Sequence, residues 1–120
     1  MPKKSPEQKA EEERRYILAC GASNTAELEP FLTDPNQAIR VVAAMNPDAD
    51  AELLDRFAND KFWGVRIEVV NHPNVSEATL RRLLEPKVSK RGVVHYAAHA
   101  KLLERGVEFD EYEMPILMQK

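Results

Sequence analysis

Apolar residues along this chain recur in short clusters at a fixed spacing. Leu28 and Phe31, Leu54 and Phe57, and Leu80 and Leu83 are successive copies of one pair, 26 residues apart. Ile39 and Ala43 stand in the same relation to Val65 and Val69. Residues 34–57 and 60–83 superimpose at that offset without a gap, which brings Arg40 onto Arg66 and Pro47 onto Pro73. Subtracting the same offset once more reaches Arg14, Leu28, Phe31 and Asp34. Within a copy, apolar residues at i and i+4 share one helix face. A period in this range predicts stacked helical repeats, an all-α chain built as a short α-solenoid of two-helix units.

Polar and proline residues punctuate the pattern. Ser5-Pro6-Glu7-Gln8 is a capping box with proline at the first helical position, and it predicts an opening helix over 5–21. Asn24 or Thr25 caps the next helix, and Asp34 followed by Pro35 starts the one after. Asn46-Pro47 and His72-Pro73 stop helices, because the residue before proline avoids helical dihedrals. Asp50 and Ser76 can then cap the short second helix of each unit. After Pro86 the repeat decays. A shift of 25 places Arg91 on Arg66, yet no proline follows, and one uninterrupted helix is expected up to Gly106. That is how a terminal cap behaves. The expected organisation is a helical-repeat domain over 1–106, with repeats over about 24–86 and a capping helix over about 90–106. An acidic and apolar tail follows over 107–120. The tail can pack over the last helix as a strap, which would cover Ile116, Leu117 and Met118, or stay free as a docking peptide.

The string from Val65 through Arg66, His72-Pro73 and Leu80 to Leu84, with its weaker copy from Ile39 to Leu54, resembles the leucine-rich repeat variant family, a relative of the HEAT-type helical repeats. The resemblance covers residues 34–84 well. It implies a right-handed superhelix in which α-helices alternate with short, often 3₁₀-like helices. It implies no enzyme activity, since Val65, Arg66, Pro73 and Leu80 match scaffold positions. The chain departs from the pattern at Glu13, at Cys20-Gly21 and after Arg91.

Composition narrows the function classes. The chain has 120 residues, room for one domain with a modest core. Its 17 Lys and Arg against 20 Asp and Glu give a net charge of −3, so the whole chain does not carry the basicity of a nucleic-acid binder. A single cysteine, Cys20, excludes an internal disulfide and suits a reducing compartment. No apolar run approaches the length of a membrane span, and Met1-Pro2-Lys3-Lys4 lacks the apolar segment of a signal peptide. A cytoplasmic protein without a membrane segment is expected.

Charge is unevenly distributed. Residues 81–105 hold 7 basic and 2 acidic side chains, and residues 106–120 hold 1 basic and 4 acidic. Arg81, Arg82, Lys87, Lys90, Arg91, Lys101 and Arg105 are therefore a candidate patch for nucleic acid or an acidic partner, unless they are simply a solvated helix surface. Glu108, Asp110, Glu111 and Glu113 are placed to cover them. A second set is the ladder of Arg14, Arg40, Arg66 and Arg91. Asp34 and Asp60 lie six residues before Arg40 and Arg66. A structural ladder is expected, in which each Asp caps a helix and each Arg reaches a carboxylate or carbonyl of the adjacent unit.

Other chemistry is sparse. His95 and His99 share a helix face, but the glutamate of a zinc-protease helix is missing after His95, and His72 occupies a turn position filled elsewhere by Asn46. No metal, cofactor or catalytic residue is expected, and Cys20 is expected to be a buried thiol. Phe62 and Trp63 are different. Their counterparts are Asn36 and Gln37 in the preceding unit and Val88 and Ser89 in the following one, so the site tolerates polar groups and lies outside the core. An aromatic pair there points to a protein interface. The expected function is a non-enzymatic adaptor that binds another protein, with nucleic-acid binding through residues 81–105 as the alternative.

Overall fold

Five helices of this protein begin behind a side chain that accepts a hydrogen bond from the first turn. Ser5 takes the Gln8 N–H at 3.1 Å, and the Gln8 side chain returns a bond to the Ser5 N–H, completing the capping box. Asn24, Asn36, Asp50 and Ser76 take the N–H groups of Glu27, Ala38, Leu53 and Thr79. In the computed structural model, which describes residues 3–116, these starts lead to seven α-helices and two 3₁₀ turns, with no strand among the described residues. The helices are α1 (Pro6–Gly21), α2 (Thr25–Leu28), α3 (Gln37–Met45), α4 (Ala51–Phe57), α5 (Trp63–Asn71), α6 (Glu77–Arg82) and α7 (Val93–Glu104). The 3₁₀ turns are Glu29–Thr33, which continues α2, and Val88–Lys90, which precedes α7.

The odd-numbered helices lie in sequence order: α1 packs on α3, α3 on α5, and α5 on α7. The short helices α4 and α6 pack on α5 and α7, and the whole measures 55 × 33 × 17 Å. Leu28, Leu54 and Leu80, one from each copy of the sequence period, are completely buried, as are Val65, Ala43 and Val69. Full burial of each leucine stabilises the fold by roughly 1.5–3 kcal/mol relative to exposure. Asn46 and His72 end α3 and α5 in the residue before proline.

Two expected starts shift. α3 begins at Gln37 behind Asn36, and α5 at Trp63 behind Phe62, so neither Asp34 nor Asp60 is the N-cap of the α-helix that follows it. Each of these carboxylates instead closes a turn onto the N–H two residues on, at 2.9 Å for both Asn36 and Phe62. Cys20 is exposed rather than buried. Only Ala19 of α1 is buried, and a neighbour one residue further along points about 100° away. Tyr16, Ile17 and Leu18 are exposed as well.

α7 ends in a Schellman motif. Gly106 sits at φ 85°, the left-handed region glycine adopts at no steric cost, and Val107 N–H bonds the Leu102 carbonyl at 3.0 Å. The chain then folds back on α7. Phe109 and Pro115 form an antiparallel bridge, the Phe109 ring stacks 4.0 Å from the His99 ring, and Val107, Phe109 and Met114 pack against the core. Ile116 remains exposed, while Leu117 and Met118 lie outside the described residues.

Candidate functional site

A series of arginines crosses the helix row and fails at its third member. Arg40 donates from Nε to Asp60 Oδ2 at 2.8 Å and from Nη2 to Oδ1 at 3.3 Å, while its Nη1 bonds the Asp34 carbonyl at 2.7 Å. Both side chains of the pair are more than nine-tenths buried. Arg15 repeats the fork on Asp34, at 2.8 and 3.4 Å. Arg14, which the 26-residue offset puts in the series, pairs instead with Glu11 one turn away. The spacing from the first helix is 25 residues, so the gapless alignment picks the wrong neighbour.

Arg66 keeps half of this arrangement. Its Nη1 bonds the Asp60 carbonyl at 2.7 Å, as Arg40 bonds that of Asp34, and Arg91 makes the corresponding bond to the Glu85 carbonyl from Nε. No carboxylate among the described residues lies within ion-pair distance of Arg66. The residue 26 positions after Asp60 is Pro86, and the acid comes one place early as Glu85. The Glu85 carboxylate closes its own turn onto the Lys87 N–H at 3.1 Å.

Arg66 opens into a cleft of about 570 Å³ between α5, the end of α6 and the start of α7, lined also by Trp63, Arg82, Glu85, Lys90 and His95. Trp63 is 53 % exposed, the first residue of α5, and therefore held on a rigid base. Phe62, expected to share the surface with it, is half-buried against the core. The Phe62 ring lies over Gly64, where a Cβ would overlap it. The two rings are 5.9 Å apart and tilted by 57°. Glycine thus lets one aromatic turn inward while its neighbour faces solvent.

The basic residues of 81–105 do not form one free patch. Arg81 pairs with Glu77, Arg82 with Asp55 and Asn59, Arg91 with the carbonyls of Glu85 and Tyr112, and Arg105 with that of Val75. The Arg82 guanidinium, helped by the Thr79 hydroxyl, holds the Asp55 carboxyl below its ordinary pKa. Lys87, Lys90 and Lys101 have no side-chain partner among the described residues. Among the described residues no tail acid forms an ion pair with these cations. Glu113 bonds His99 at 2.9 Å, and Asp110 is occupied by the N–H groups of Tyr112 and Met114.

The histidines have structural partners. His72 bonds the Asn46 carbonyl through Nε2 at 2.8 Å, and its Nδ1 accepts the Asn74 N–H at 3.0 Å, which fixes the tautomer with the proton on Nε2. One unit earlier, the Asn46 amide spans the Ala19 and Ala22 carbonyls, at 3.0 and 2.9 Å. His95 is buried, and its Nδ1 accepts the Glu85 N–H at 2.9 Å. Burial, reinforced by Arg91 and His99, lowers its pKa and keeps it neutral. The His95 and His99 rings are 6.2 Å apart, and no group of three or more potential metal ligands occurs among the described residues. No described helix is long and apolar enough to cross a membrane.

Compared with protein-family models, curated proteins and solved structures, the chain gives no significant match. The residues around the cleft are the basis for a functional reading. An exposed indole, the unpartnered N–H donors of Arg66 and the Lys90 ammonium stand around this groove.

Proposed function

We propose that this chain is a non-enzymatic helical-repeat module of the cytoplasm, a short α-solenoid of the leucine-rich repeat variant type, which binds another protein at the cleft beside Trp63. One observation carries the reading: the single tryptophan stands half-exposed on the first turn of a helix, at the mouth of a groove. An indole so placed presents a large apolar surface with little rotamer entropy left to lose, and such residues dominate interface energetics. The row of odd-numbered helices and the equivalent burial of Leu28, Leu54 and Leu80 support the solenoid reading. The nucleic-acid alternative has weaker support, since Arg81, Arg82, Arg91 and Arg105 already have partners within the fold.

The test is selection from a phage-displayed library of random dodecapeptides, run in parallel on the full chain and on its Trp63→Ala variant. Sequences enriched on the first and lost on the second are expected. Enrichment that is indifferent to Trp63, or none, refutes docking at this cleft.

A further inference from the structure

The third arginine of the series has lost the partner that its two predecessors share. Arg15 and Arg40 each grip one aspartate with the same edge, Nε to Oδ2 at 2.8 Å and Nη2 to Oδ1 at 3.3–3.4 Å. Arg66 is anchored as Arg40 is, by Nη1 on the carbonyl six residues back, at 2.7 Å in both. Its Nε and Nη2 have no partner among the described residues, and Arg66 lines the cleft beside Trp63. Lys90 and Arg82 line the same groove. Glu85 is its one acid, and the Glu85 carboxylate is turned onto the Lys87 N–H.

We propose that Arg66 binds the carboxylate of an aspartate or glutamate in the partner protein segment that docks beside Trp63, so that the partner supplies the acid which this chain lacks at Pro86. The inference rests on the docking reading above and adds the ligand's chemistry. A guanidinium already fixed through one nitrogen loses little freedom when its remaining edge takes a carboxylate, and a bidentate fork favours a planar acid over an amide. Charge points the same way. In a chain of net charge −3, this groove presents Arg66, Lys90 and an Arg82 shared with Asp55 against Glu85 alone. The apolar face of the same segment is expected on Trp63, one helical turn from Arg66.

The experiment uses the peptides enriched by the wild-type chain, each synthesised with its acidic residues changed singly to the corresponding amide, and binding to the full chain measured by calorimetry. One Asp→Asn or Glu→Gln change is expected to weaken binding at least about tenfold, as loss of a charge-assisted bond does. The same change is expected to have little effect on binding to the Arg66→Lys variant, which keeps the charge but not the fork. The peptide-side change leaves the protein fold untouched, so the result stands even if Arg66→Lys melts lower. Trp63-dependent peptides with no acidic preference, or acidic peptides whose amide penalty is unchanged in Arg66→Lys, overturn this inference and leave the docking reading intact. Absence of any Trp63-dependent peptide removes both. Peptides whose phosphoserine form outbinds the Asp form more than tenfold also refute it, in favour of a phosphate site.

Discussion

Asp60 ties α3 to the turn before α5, and replacing it by asparagine tests the worth of its buried ion pair with Arg40. The Asp60→Asn variant keeps the side-chain oxygen that accepts the Phe62 N–H, so the turn before α5 survives, while the charge is lost and the oxygen that takes the Arg40 Nε–H becomes an NH2 donor. Arg40 is then left with its guanidinium more than nine-tenths buried and without a counter-charge, bound to the Asp34 carbonyl and to the one remaining side-chain oxygen. Stranding a buried charge typically costs about 3–5 kcal/mol. The lower end applies here, because the new amide can still accept one bond. Unfolding entropy for a chain of this length is on the order of 0.25 kcal/mol/K, so a loss of about 3 kcal/mol lowers the Tm by roughly 12 °C. The comparison is Arg66→Gln, which removes an arginine with no carboxylate partner and a single carbonyl bond, and is expected to cost about 1 kcal/mol. Scanning calorimetry of both variants measures the difference. A buried pair is also weakly screened, so the gap is expected to persist between low and molar salt. An Asp60→Asn variant within about 1 kcal/mol of wild type, or an Arg66→Gln variant that costs as much, refutes the assignment of the series to one gripping pair and one open arginine.

Asn46→Ala removes the amide that spans the Ala19 and Ala22 carbonyls, and urea denaturation is expected to show a loss of about 2–4 kcal/mol from the groups left unsatisfied between α1 and α3. Gly64→Ala is expected to give no gain or to destabilise, because its Cβ displaces the Phe62 ring, whereas in a Phe62→Ala background the same change is expected to stabilise by up to about 1 kcal/mol. A double-mutant cycle with equal effects in the two backgrounds contradicts that packing. Stability is expected to fall as pH drops below the ordinary histidine range. His95 has a lowered pKa in the fold, so the unfolded chain binds its proton first. The loss starts near pH 6.5, the ordinary value, and is complete once pH passes below the folded value. His95→Asn keeps an acceptor for the Glu85 N–H and cannot titrate. Denaturation between about pH 5 and pH 8 is expected to show a shallower acid limb for it.

Much of the helical organisation is legible in the residues themselves. The 26-residue offset identifies Leu28, Leu54 and Leu80 as equivalent core positions, and Asn24, Asp50 and Ser76 cap where short polar residues precede an apolar cluster. The electrostatic detail is less legible. A one-residue change of spacing between α1 and α3 moves the series from Arg14 to Arg15, and sequence superposition alone does not see it. Asp34 and Asp60 look like caps because they precede helices. Asn36 and Phe62 intervene, and the carboxylates close tight turns while reaching the arginine of the preceding unit. The candidate cleft is half visible in the sequence. Trp63 stands out against Gln37, but its separation from Phe62 depends on Gly64, and the isolation of Arg66 depends on Glu85 falling one place short. The signal for the latter is present as the 25-residue shift after Pro86. Its consequence emerges only once the two complete pairs are seen beside it.

Trp63 is the only tryptophan in the chain, so its fluorescence reports on the cleft without labelling. Titrating the full chain with the tightest enriched acidic peptide that itself lacks tryptophan, while following emission wavelength and acrylamide quenching, tests the central claim directly. The account predicts a saturable blue shift and protection of the indole, with a dissociation constant equal to the calorimetric one. Calorimetric binding that leaves the emission and quenching of Trp63 unchanged would place the partner elsewhere on the surface and contradict it.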